Sequence, residues 1–228
     1  MKTLTKIAYS LVATFSMYGQ DHRTAPLVPP PNSVQPVLNV LKDAKAPGSL
    51  QFFGKCESFV YPGFPDFPPM KADDPTSGPP VQRLRSIFSD DPAMQIRQAP
   101  DGTIEMIEEN IPQDILDIKI GDITFNSAMT GFNNPNGAIN FVLGYPEVQN
   151  FITLHSIRFP YSLSWGPYSH IMGVLDPSRP HISSSFKNVT VRFLLNQIAA
   201  TFQNLWIYEN CPTSPGGSRV VYIRSYQP

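Results

Sequence analysis

The chain has 228 residues, a formal net charge of −1 and charged side chains at only 15% of positions, below the usual quarter. A near-neutral chain implies no basic face, which argues against nucleic acid as the main partner. Proline is abundant, with 25 residues, and thirteen of them lie between Pro26 and Pro80. This concentration indicates extended connections near the N-terminus, while the chain is long enough to bury a core.

The first twenty residues have the pattern of an export signal. Lys2 and Lys6 form a basic start, and residues 7–18 are apolar but too short to span a membrane comfortably. The alternative is an N-terminal helix buried in the fold. We expect residues 1–20 to be a signal peptide, and the mature protein to be periplasmic or extracellular, without a transmembrane segment.

The next two regions are a connection and a first folded unit. Residues 21–48 are predicted to form a Pro-rich tether, with a short helix at 37–44. Residues 49–110 are predicted to form a β-α-β-β unit. Its first strand begins at Leu50, and Pro79 and Pro80 suit the first turn of its helix. The turn Pro100-Asp101-Gly102 joins its last two strands.

The middle region, residues 111–181, is predicted to hold a strand, a pair of helices and an aromatic loop. The apolar alternation of the strand slips at Gly121-Asp122, which indicates a bulge. Helices are expected at 138–143 and 146–155. The loop at 157–181 is rich in aromatic residues, proline and glycine.

The C-terminal region, residues 182–228, repeats the element order of the first unit. An alternating strand leads to Thr190, which is a suitable N-cap for the helix that follows. That helix carries an apolar stripe formed by Val191, Leu194, Leu195, Ile198 and Phe202. Two short strands and a Pro-Gly-Gly turn complete the unit. The sequence therefore predicts an α+β fold of two β-α-β-β units with a helical insert, by duplication or by coincidence.

Two cysteines follow the signal segment, Cys56 and Cys211. In an oxidising compartment a lone pair is most simply a disulfide, which would join the two units. The alternative, a catalytic thiol beside a histidine, finds no supporting motif. We expect a Cys56–Cys211 disulfide.

Acidic residues are concentrated in the centre of the chain. The set consists of Asp101, Glu105, Glu108, Glu109, Asp114, Asp117 and Asp122. Paired carboxylates occur in glycosidases and in calcium sites, but most acidic runs form a solvated face. The four histidines show no metal-ligand spacing. We assign no catalytic residue, cofactor or metal, although a polysaccharide hydrolase stays an alternative that would gather these acids in a cleft with His170 or His181.

The aromatic loop supplies the candidate binding residues, Tyr161, Trp165, Tyr168 and His170. Exposed Tyr and Trp in a long loop are typical of surfaces that bind peptides or sugars. The same rings are also suited to covering the core beneath a long connection. A flat, exposed row of them would indicate a carbohydrate-binding module.

Part of the C-terminal unit resembles a known family. The segment 185–199 (SFKNVTVRFLLNQIA), followed by Leu205-Trp206-Ile207-Tyr208, is similar to the short N-terminal domain of secretins and TonB-dependent receptors. The resemblance covers residues 183–226, with a weaker second copy at 50–109. It implies protein–protein contact in the periplasm without catalysis. We therefore expect an exported, non-catalytic protein-binding or assembly module of the bacterial cell envelope, with an envelope protein as its partner.

Overall fold

A computed structural model describes residues 34–54, 67–72, 77–125, 134–159, 180–211 and 218–226. Five helices and seven strands lie within these ranges. In chain order they are α1 (Gln35–Ala44), β1 (Gly48–Phe53), α2 (Pro80–Ile87), β2 (Met94–Gln98), β3 (Ile104–Glu108), β4 (Lys119–Thr124), α3 (Pro135–Leu143), α4 (Pro146–Leu154), β5 (Ser185–Thr190), α5 (Val191–Phe202), β6 (Leu205–Cys211) and β7 (Val220–Tyr226). The predicted α+β class is confirmed.

Five of the strands form one sheet in the order β2-β3-β1-β6-β7. β1 is parallel to both neighbours, with Leu50 beside Met106 of β3 and Ile207 of β6. The hairpins β2–β3 and β6–β7 are antiparallel and flank it. The two predicted units thus share one sheet. β5 lies outside that sheet and pairs with β4 in a separate two-stranded sheet.

Each face of the large sheet packs on its own hydrophobic core. Leu205 and Ile207 of β6 belong to a core that α1 and α2 cover. Trp206 and Tyr208 belong to a second core with α3, α4 and α5. All seven residues of β6 are buried as a result. A strand covered on both faces needs apolar side chains on both, because successive side chains point to opposite sides.

Helix α1 belongs to the folded body, although it lies within the range 21–48 predicted as a tether. Val37 and Val40 are completely buried in the first core. The helix has proline in its first turn and ends at Lys45, whose φ of 49° is left-handed. The predicted short helix at 37–44 is therefore present, and the tether does not extend through it.

The predicted N-cap and apolar stripe of the C-terminal unit are confirmed, whereas its Pro-Gly-Gly turn lies outside the described residues. The Thr190 side chain caps α5 by accepting a hydrogen bond from the Phe193 N–H at 3.2 Å. The whole predicted stripe of α5 is buried. The predicted helix pair is also present, as α3 and α4, and Asn134 caps α3 through the Asn136 N–H at 2.9 Å.

The predicted bulge at Gly121-Asp122 is wrong. Ile120 and Ile123 are both buried, so the inward face does change phase between them. Their partners on β5 are also three residues apart, so neither strand carries an extra residue. Asn188, between those partners, has a φ of 51°. Both strands therefore shift their inward face at the same point, and the pairing register is the same before and after it.

Asn196 of α5 joins three parts of the fold. Its Nδ2 donates to Asp101 Oδ2 in the β2–β3 turn at 2.9 Å, and its Oδ1 accepts from Trp206 Nε1 at 2.9 Å. Asp101 also accepts from the Thr103 N–H at 2.9 Å. Burial alone would raise the pKa of Asp101, but these hydrogen bonds lower it below its ordinary value. The turn is thereby fixed to the helix.

We expect Asn196→Ala to lower the free energy of unfolding by about 1–3 kcal/mol, because the buried Trp206 N–H would lose its acceptor. Chemical denaturation measures this difference. Gln197→Ala, at the next and partly exposed position of α5, is the matched control and should change stability far less. Equal stability of the two variants would contradict the role of Asn196.

The predicted disulfide involves one described residue. Cys211 ends β6 and is 1% exposed, whereas Cys56 lies outside the described residues, so no disulfide lies wholly within them. Gly54, two residues before Cys56 in sequence, donates its N–H to Asn210 O at 3.0 Å. The end of β1 therefore runs beside the end of β6, and the disulfide stays a prediction.

We expect mass spectrometry of unreduced peptides to find Cys56 linked to Cys211. The bond would close a loop of roughly 155 residues, so reduction should lower stability by about 4 kcal/mol in the chain-entropy model. A reduced and alkylated sample is the control. Alkylation of either cysteine without prior reduction would exclude the bond.

Candidate functional site

The two edges of the five-stranded sheet differ in how they are covered. On β7, the Arg158 N–H donates to Arg219 O and the Val221 N–H donates to Arg158 O, both at 2.9 Å. Farther along, the Ser225 N–H donates to Asn136 Oδ1 at 2.8 Å. Chain segments from the second core thus occupy outward main-chain groups of β7 at two points. This edge is largely closed to a further strand.

Among the described residues, no strand pairs with the opposite edge, β2. The Ala99 N–H bonds Thr103 O at 2.8 Å and the Ile104 N–H bonds Pro47 O at 2.9 Å, so Gln98 and Ile104 form a pair without mutual hydrogen bonds. Because such pairs alternate in an antiparallel ladder, the main-chain groups of Met94, Ile96 and Gln98 point away from β3. Among the described residues, the N–H groups of Ile96 and Gln98 have no acceptor.

In the described part of the chain, a single side chain engages the outer carbonyls of this edge. Arg85 Nη2 of α2 donates to Ile96 O at 3.3 Å, a long hydrogen bond. The side chains of Gln95, Arg97 and Gln98 are exposed, whereas Ile96 is buried in the first core. In the described part of the chain, this edge is therefore polar and accessible, and Ile96 anchors the strand in the first core.

A groove of about 410 Å³ lies beside this edge, over β2 and β3. We call it the β2 groove; its main lining residues are Gln95, Arg97, Ile107, Glu108, Glu109 and Arg192. The segment that follows β3 and the first turn of α5 form its far wall. A strand added to β2 would have alternate side chains facing this groove.

Both arginines of the groove are already paired. Arg97 Nε lies 2.7 Å from Glu105 Oε2, whose carboxylate is almost fully buried. Arg192 Nη2 lies 3.0 Å from Asp117 Oδ1 and donates to Gln113 Oε1 at 2.6 Å. Each arginine thus has its own carboxylate, and the two pairs are together electrically neutral.

Two further carboxylates, Glu108 and Glu109, make the net charge of the groove negative. Glu108 accepts a hydrogen bond from the Phe53 N–H at 2.8 Å, and Glu109 is exposed. Partial burial raises the pKa of Glu108 and the nearby charge of Asp91 adds to this, while the Phe53 N–H opposes it. The carboxylate is incompletely solvated and near a like charge, so a cation placed there would be favourable.

The far wall is held to the sheet by Arg219. Its Nη1 and Nη2 donate to the two oxygens of Asp114 at 2.6 and 2.9 Å, and Nη2 also donates to the Tyr208 hydroxyl at 2.6 Å. Its Nε donates to Asn210 Oδ1 at 2.8 Å. Burial raises the pKa of Tyr208, so its hydroxyl stays protonated. Within the described part of the chain, Arg219 engages both the carboxylate and the hydroxyl of this network, so the network is structural.

Acid should weaken this network by protonating Asp114. The variant Asp114→Asn should lack that part of the pH dependence of stability. Burial favours a higher pKa for Asp114, but Arg219 lowers it below the ordinary value. The stabilisation is therefore complete above the ordinary carboxyl range and is lost as pH falls through the lowered pKa. We expect Asp114→Asn to be less stable at neutral pH and to lose less stability on acidification, measured by denaturation at several pH values.

Asp117→Asn is the control for that series, because Asp117 pairs with Arg192 through a more exposed carboxylate. Its stability should fall only slightly at neutral pH. Parallel pH profiles for the wild type and Asp114→Asn would contradict the assignment.

The other predicted acids are dispersed. Asp101 bonds Asn196, and Asp122 lies 3.8 Å from Lys187 on the separate small sheet. Of the seven, only Glu108 and Glu109 line the groove. Within the described ranges, no group of three or more His, Cys, Asp or Glu side chains is placed to hold a metal ion. His155 ends α4, with its ring 4.2 Å from that of Phe151.

The four predicted binding residues, Tyr161, Trp165, Tyr168 and His170, lie outside the described residues, as does the signal segment 1–20. Their roles stay predictions. In the part of the chain that the structure describes, no helix has the length and apolarity needed to cross a bilayer. The groove residues Arg97 and Arg192 were not singled out from the sequence, because only the strand order identifies β2 as an edge.

No protein-family model, no curated protein and no solved structure matches this chain. The resemblance to the short N-terminal domain of secretins and TonB-dependent receptors therefore stays a prediction, and the open edge of β2 is the main structural guide to function.

Proposed function

We propose that this chain is an exported, non-catalytic protein-binding or assembly module of the bacterial cell envelope. The observation that carries the binding role is the contrast between the two sheet edges. β7 is covered by the chain itself, whereas β2 presents outward N–H groups beside a polar groove. Addition of a partner strand to an exposed edge is a recurrent mode of protein recognition. The basic and apolar start of the sequence supports export.

The charge arrangement favours binding over hydrolysis. Four of the predicted acids face a lysine or arginine within ion-pair distance; these are Glu105, Asp114, Asp117 and Asp122. A glycosidase needs two opposed carboxyl groups flanking one bond, with one of them available as an acid. In the described residues the groove offers Glu108 and its sequence neighbour Glu109, without a histidine. We therefore advance the binding role alone.

Gln98 provides a sharp test of the open edge. Gln98→Pro would remove an outward N–H and obstruct an added strand, while the β2–β3 hydrogen bonds stay intact because the main chain of Gln98 does not take part in them. We expect affinity capture from envelope extract to retrieve a protein with the wild type and to lose it with Gln98→Pro. Gln98→Ala keeps the N–H and should retain the capture.

A triple alanine variant of Tyr161, Trp165 and Tyr168 completes the comparison. Circular dichroism and thermal unfolding confirm that each variant is folded. Loss of capture in the triple variant with retention in Gln98→Pro would assign binding to the aromatic loop and refute the edge. No capture by any of the four proteins would contradict the binding role itself.

A further inference from the structure

We propose that the β2 edge and its groove bind an extended segment of a partner protein that carries a lysine or arginine facing Glu108 and Glu109. This inference rests on the proposed protein-binding function and specifies the chemistry of the partner. It is carried by the direction of the main-chain groups on β2 and by the charges that the groove leaves unmatched.

The main chain of β2 selects an extended segment. Its outward groups recur at every second residue, which is the spacing that a neighbouring strand requires. The Met94 N–H already donates to Asp91 O at 3.2 Å, so Ile96 and Gln98 supply the N–H groups for an added strand. An added strand would form its hydrogen bonds there and replace the long contact from Arg85 to Ile96 O. β2 has five residues, so the paired segment is short. Side-chain contacts must therefore contribute to its selection.

The groove selects for positive charge. Arg97 and Arg192 are neutralised by Glu105 and Asp117, so an anionic partner would have to break an existing ion pair. Among the described residues, the Glu108 carboxylate is engaged only by the Phe53 N–H, and the Glu109 carboxylate has no partner. A cationic side chain entering the groove would gain attraction without displacing any ion pair.

Lysine and arginine also have the required reach. Neighbouring strands are about 4.8 Å apart, so a segment added to β2 would lie roughly 10 Å from β3, which ends at Glu108. A long basic side chain can lie along the groove floor, with its methylenes on Ile107 and its charge at the carboxylates. A short polar side chain would not span this distance.

Two designed peptides test the inference. Each is an acetylated, fluorescent heptapeptide of alternating valine and threonine, with a central lysine in one and a central glutamate in the other. Fluorescence anisotropy with the full chain should show the lysine peptide binding about tenfold more tightly at low ionic strength, with the preference shrinking as salt is added.

Matched variants locate the charge. The double variant Glu108→Gln, Glu109→Gln should bind both peptides within about twofold of each other, and the amide introduced at position 108 can still accept from the Phe53 N–H. Asp122→Asn removes the same kind of charge from the distant strand β4 and should keep the full preference. Gln98→Pro should lose both peptides, whereas Gln98→Ala should bind like the wild type.

Three results would overturn the inference. Equal binding of both peptides that is lost in Gln98→Pro would show an edge without a charge preference, leaving the protein-binding function intact. Binding of neither peptide would reject the basic segment, while capture from envelope extract still tests the proposed function separately. Self-association by ultracentrifugation that Gln98→Pro abolishes would identify a second copy of this chain as the occupant.

Discussion

The fold depends on the parallel pairing of β1 with β3 on one side and with β6 on the other. A strand bonded on both sides exposes no main-chain groups, and a parallel arrangement is stable only when both faces are covered. This explains the two separate cores, one beneath α1 and α2 and one beneath α3, α4 and α5. It also explains why Gly48 to Phe52 of β1 are buried without exception, the polar Ser49 and Gln51 included.

The position of β1 determines which surfaces are free. Because the hairpins flank it, the sheet ends in β2 and β7. Arg158, which follows α4, and Asn136 of α3 cover β7. In the described part of the chain, β2 has α2 beside it, with Arg85 as the one side chain on its outer carbonyls. The asymmetry of the edges is thus a consequence of chain connectivity.

Local signals made most elements predictable. Thr190 before an apolar stripe, and Pro-Asp-Gly between two alternating runs, act within a few residues and are unaffected by the rest of the chain. Strand order was not predictable, because β1 and β5 precede their helices with similar patterns. Their places are decided by contacts between distant segments. The groove was not predictable for the same reason. The roles of Arg97 and Glu109 follow only once β2 is known to be an edge of the sheet.

The pairing of β1 with β6 also constrains how the chain acquires its structure. Phe53 lies beside Asn210, so β1 can complete its pairing only after a strand far along the chain has been synthesised. Until then β1 has an open side that any extended chain can occupy, and contacts between distant segments form slowly. A shortened chain ending before β6 would expose Leu50 and Phe52, and the protein is therefore obliged to fold as a whole.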